Sequence, residues 1–107
     1  MRGVYLKFYV QENHRHHGIL AYEWLLEIAK SIGVPGGSAF RAIAGFGRHR
    51  RLHEEHFFEL AGDLPVEVDF ALDEALAQAL LDRLAAEKLE LVYTKMVAEM
   101  GVVGSPP

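Results

Sequence analysis

The sequence predicts an α+β domain whose elements run strand, helix, strand, strand, helix, strand. Three observations carry this. Val4, Leu6, Phe8 and Val10 alternate with Tyr5, Lys7 and Tyr9, the period of two of a strand with unlike faces. Residues 19–32 and 73–86 repeat apolar residues at three and four, as helices with one buried face do. Alternating segments at 39–46, 66–71 and 89–98 supply the remaining strands. Right-handed crossovers in this order give a ferredoxin-like βαββαβ unit, a four-stranded antiparallel sheet with both helices on one face.

In the first helix Ala21, Leu25, Ile28, Ala29 and Ile32 form the apolar stripe; Gly33 suits a left-handed cap and Pro35 prevents resumption. Gly36, Gly37 and Ser38 read as a turn. Strand two then places Phe40, Ala42, Ala44 and Phe46 on the core face, with Arg41 and Ile43 on the other. Residues 47–63 show no clean period and are expected to form a long excursion, with a strand-like piece at 57–60. Strand three turns Val66, Val68 and Phe70 inward, entered through Pro65, which a strand start tolerates. Asp73 is a good N-cap for a helix carrying Leu76, Ala79, Leu80 and Leu84, and Lys88 closes the turn after it. Strand four sets Leu89, Leu91, Tyr93 and Val97 against Glu90 and Thr94. Tyr5, Tyr9, Ile43 and Ala71 leave the uncovered sheet face apolar, which favours self-association through it.

The chain has 107 residues, enough for one domain, expected over 1–103 with a frayed tail at 104–107. There are no cysteines, so disulfides and zinc–thiolate sites are excluded, in keeping with a cytoplasmic protein. No apolar run is long enough to span a membrane. Eleven basic against 15 acidic residues give a charge of -4, which argues against a nucleic-acid partner. Any anion site must be local.

One local site stands out. Gly45 and Gly47 bracket the expected end of strand two and allow backbone N–H groups to approach a ligand, while Arg41 and Arg48 offer guanidinium forks beside them. Together these suit a phosphate group. Arg50 and Arg51 are explained by pairing with Glu54 and Glu55 on a solvated surface. The His14-Arg15-His16-His17 run invites a metal reading, since imidazole suits zinc, copper and nickel. Its spacing matches no helical pair, however, and no carboxylate lies close by in sequence as a clear partner, so no metal is assigned. His49, His53 and His56 are treated alike. No nucleophile, base and acid stand together in a catalytic motif, so no catalytic residue is assigned and an enzyme is not expected.

His16-His17-Gly18, Tyr22-Glu23-Trp24-Leu25, Phe40-Arg41-Ala42-Ile43, Gly45-Phe46-Gly47, His53 and Asp63-Leu64-Pro65-Val66 together resemble the PII-like "domain of unknown function 190" family over nearly the whole chain. The resemblance implies a homotrimer similar to the PII signalling proteins, with sheets facing inward and small effectors in clefts between subunits. It further implies an adenine nucleotide as effector, no required cofactor, an association with fluoride-exporter genes, and a partner-contacting loop after strand two, here 47–63. The partner would be a membrane transporter or another protein. The glycines and basic residues that hold phosphates after the second PII helix have no counterpart at 87–89.

The nucleotide site is accordingly expected at Arg41, Gly45, Phe46, Gly47 and Arg48, with Phe46 flanking the base and His16 and His17 at the rim. The first alternative is a divalent-metal-responsive trimeric module using the His14, His16 and His17 loop. The second is an enzyme acting on a phosphorylated small molecule.

Overall fold

The computed structural model describes residues 1–45 and 65–105. Its main sheet holds β1 (Arg2–Gln11), β4 (Gly37–Arg41), β5 (Pro65–Leu72) and β6 (Val92–Glu99) in the order β4-β5-β1-β6, antiparallel throughout. Helices α1 (Ala21–Ser31) and α2 (Glu74–Ala86) cover one face. Two short strands, β2 (Arg15–His16) and β3 (Ile19–Leu20), form a hairpin before α1. This is the expected ferredoxin-like arrangement with a hairpin added.

The core follows from the alternation of the two central strands. Leu6 and Phe8 of β1 stand opposite Phe70 and Val68 of β5, all fully buried, and Phe8 meets Phe70 edge-on at 6.1 Å between ring centroids. Trp24, Leu25 and Ala29 of α1 and Ala77, Leu80 and Leu84 of α2 close over them. The stripe on α2 therefore runs through Ala77, whereas the expected Ala79 is exposed.

The helix ends obey local rules. Asp73 caps α2 by accepting a hydrogen bond from Leu76 N at 2.7 Å. After α1, Gly33 takes φ +100 while Gly33 N and Val34 N donate to the carbonyls of Lys30 and Ala29. Lys88 N and Leu89 N donate in the same way to Ala85 and Leu84 after α2, but here the left-handed position is Lys88, at φ 60.

Strand two departs from expectation in extent and in phase. β4 starts at Gly37, inside the expected turn, and ends at Arg41. Its last ladder bond is Ala42 N to Pro65 O, at 3.0 Å, opposite a residue that has no N–H to return. Phe40 stands opposite Glu67 on the open face, so Gly37, Ala39 and Arg41 share the helix-side face with Phe70, Val68 and Val66. Arg41 is therefore not on the uncovered side: a one-residue difference in phase inverts every side chain. Gly37 is small because Phe70 and Leu26 already fill the space beneath it. Ile43 lies beyond the strand and is exposed.

β6 starts at Val92, and Leu89 and Leu91 pack against the core ahead of it. The open face carries Tyr5, Tyr9 and Ala71 as expected, with Phe40, Val92 and Met96 added by register. Asp69 is only 8% exposed on this face and accepts a hydrogen bond from Tyr5 Oη at 2.7 Å. Lys7 lies 3.6 Å from Glu67 beside them. Hydrogen bonding with Asp69, then burial, pushes the Glu67 carboxyl above its ordinary range, with Lys7 pulling the other way.

Candidate functional site

Chain direction brings Arg41 and the His16–His17 hairpin, among the expected site residues that are described, to one end of the sheet. There β1 and β4 finish, β5 and β6 start, α1 begins and α2 ends. Arg41 is the last residue of β4, and Gly45 follows four positions later, half-buried and outside any strand. It therefore does not flank a strand end. Phe46, Gly47 and Arg48 lie outside the described residues, as do the 47–63 segment, His49, His53 and His56.

Arg41 is engaged: its guanidinium forms an ion pair with Glu12, just beyond β1, although its side chain is 61% exposed. An exposed pair of this kind contributes about 0–1 kcal/mol, so a stronger anionic partner can displace the carboxylate. A guanidinium with this freedom suits a phosphate oxygen.

The histidines are held by their hairpin. His17 at φ 52 and Gly18 at φ 82 form the two-residue turn between His16 and Ile19, where both central residues need a left-handed backbone. This reversal brings both imidazoles to the end of α2. His16 Nε2 lies 3.0 Å and His17 Nε2 2.8 Å from the same oxygen of Glu87, Oε1, across about seventy positions of chain. Arg83 approaches the other oxygen, Oε2, at 3.6 Å. His16 also packs edge-on against Trp24, with centroids 4.5 Å apart. The His16 side chain is 15% exposed and that of Glu87 22%, whereas His17 is 64% exposed.

Hydrogen bonds from His17 and then His16, assisted by Arg83, hold the Glu87 carboxyl below the usual carboxylate range. The three ligand-type atoms of His16, His17 and Glu87 lie within 4.8 Å of one another. His14 is not in this group.

Glu87 is the site residue that sequence reasoning missed, because its histidine partners are remote along the chain. One local signal was available. An acid directly after a helix opposes the negative end of the helix dipole, where cations are favoured, and such conflicts mark positions kept for another purpose. Among the described residues no helix is long and apolar enough to cross a membrane.

Comparisons with known proteins agree with this fold. A UPF0166 protein of Aquifex aeolicus is 31% identical over 96 residues, covering 82% of this chain and 91% of that protein. CPII, a nitrogen regulatory PII-like protein from Thiomonas intermedia K12 bound to ADP, AMP and bicarbonate, superposes with a TM-score of 0.66 at 16% identity, covering 95% of this chain and 96% of CPII. CPII bound to ADP and bicarbonate gives a TM-score of 0.61 at 19% identity, covering 95% and 91%. These two likenesses establish a PII-like fold. The profile of the family DUF190, described as "Uncharacterized ACR", matches residues 3–100, and the chain belongs to that family.

Proposed function

We propose that the protein is a non-enzymatic, cytoplasmic, PII-like regulator that binds an adenine nucleotide in the clefts of a homotrimer. The observation that carries this reading is that the end of β4 with Arg41 and the hairpin with His16 and His17 lie at one end of a sheet like that of CPII, a protein bound to ADP and AMP. In this reading Arg41 leaves Glu12 for the phosphates, assisted by Arg48 and the backbone of Gly45 and Gly47, while Phe46 flanks the base. The apolar open face, with Tyr9, Phe40, Val92 and Met96, supports assembly through the sheet. Residues 47–63 contact the protein target, and the fluoride association implied by the resemblance makes a membrane transporter the first to test by co-purification.

Calorimetric titration with AMP, ADP, ATP and cyclic nucleotides, on protein verified as a trimer by light scattering, tests the reading. At least one nucleotide should bind and be recovered unchanged. Arg41→Ala should weaken that binding, and Glu12→Gln, which frees the guanidinium, should strengthen it. No heat from any nucleotide removes the claim.

A further inference from the structure

We propose that His16 Nε2, His17 Nε2 and a carboxylate oxygen of Glu87 form a site for one divalent transition-metal cation of the zinc, cobalt, nickel or copper type. The proposal shares His16 and His17 with the rim of the nucleotide site but does not depend on nucleotide binding, and it needs no second subunit.

Donor chemistry is the first argument. Two imidazoles and one carboxylate match the preferences of borderline cations, whereas magnesium and calcium require a mostly oxygen shell. A four-coordinate ion with bonds of about 2.0–2.2 Å holds its ligands about 3.3–3.6 Å apart. The present separations of 3.0 and 2.8 Å therefore need to open by only about half an ångström. His17, the most exposed of the three, opens its separation by side-chain rotation, and a small shift of the Glu87 carboxylate opens the one to His16. Three protein ligands leave a fourth position open to water or to another donor.

Charge is the second argument. The negative end of α2 and the Glu87 carboxylate meet here, a field that attracts a cation. With no cation bound, each histidine satisfies Glu87 by donating a proton from Nε2. A cation takes the lone pairs of all three atoms instead, once the Nε2 protons have moved to Nδ1 or to solvent.

Support around the ligands is the third. Trp24 fixes the ring of His16 from one side, and Arg83 orients Glu87 through the oxygen that the histidines leave free. Partners of this kind hold ligands in position before an ion arrives.

Trp24 is the single tryptophan of the chain, so its fluorescence reports directly on the site. Cobalt or nickel titrated into untagged full-length protein should quench it saturably at one ion per chain, and cobalt should also give a visible absorption band. Glu87→Gln and His17→Asn should each weaken binding by at least about tenfold. Asparagine keeps the left-handed turn at His17, so this variant remains informative even if the other fails to fold. The triple change His49→Ala, His53→Ala, His56→Ala should leave the quench intact. Absence of a saturable quench up to millimolar cation overturns the proposal. So does a quench unchanged in both site variants, or one abolished by the triple change.

Discussion

Replacing Gly37 by alanine should destabilise the protein, whereas the same change at Gly36 should stabilise it. A Cβ on Gly37 would lie 2.5 Å from Cε1 and 2.6 Å from Cδ1 of Phe70, and 3.2 Å from Cδ2 of Leu26. Carbon atoms settle at about 3.5–4.0 Å, so roughly one ångström must be found. Phe70 is only 2% exposed and held by Phe8, so it cannot swing away, and β4 must lift from β5 instead. Overpacking of this kind costs about 1–3 kcal/mol.

Against it stands the reduced freedom of the unfolded chain, which favours alanine over glycine by about 0.4–1 kcal/mol. The net loss at Gly37 is then about 1.3 kcal/mol, within a range of about 0–2.6 kcal/mol. At Gly36 nothing lies within 4 Å of the new Cβ and the backbone is not left-handed, so only the gain of about 0.4–1 kcal/mol remains. Denaturant unfolding of both variants measures the two signs. Trimming Phe70 to leucine beside Gly37→Ala should recover part of the loss, with a coupling of about 0.5–2 kcal/mol. A Gly37→Ala protein as stable as wild type would refute the close-approach argument.

Three further outcomes follow from the packing and the hydrogen bonds. Asp73→Ala should cost about 1 kcal/mol in the same unfolding assay and Asp73→Ser much less, because serine can still accept from Leu76 N. Leu80→Ala, at a fully buried position, should cost about 2–5 kcal/mol, and a smaller loss would mean that α2 does not close the core. The hydrogen bond to Asp69, then burial, pushes the Tyr5 phenol up from 10.0 to about 12. Because the folded value is raised, the bond stabilises the protein below pH 10.0, and that contribution is lost as pH rises towards about 12. Tyrosinate absorbance should therefore show a late step that Asp69→Asn moves back towards 10.0 and Tyr5→Phe removes; a step surviving in Tyr5→Phe belongs to another group.

Elements with strong periodicity were readable from sequence because one force shaped them. β1, β5 and both helices each bury a continuous apolar face, and Asp73 and Gly33 mark boundaries by local chemistry. β4 was misread because the inward side of an edge strand is chosen for smallness, and Gly37 and Ala39 give a weaker signal than the outward Phe40. The sequence pattern puts Arg41 near the start of a strand over 39–46 and on its open face, whereas it ends β4 on the helix side. The histidine cluster was visible as composition only. What makes it a site is Glu87, delivered by tertiary folding, which no spacing rule contains.

Both helices stop through the same pair of backbone bonds, yet one does so on Gly33 and the other on Lys88. A side chain in that backbone region is strained by about 1–2 kcal/mol, so the two chain reversals are unequal springs. Amides of Lys88 and Leu89 should exchange with solvent sooner than those of Gly33 and Val34. The softer reversal carries Glu87, so whatever grips that carboxylate pulls on the more yielding helix terminus.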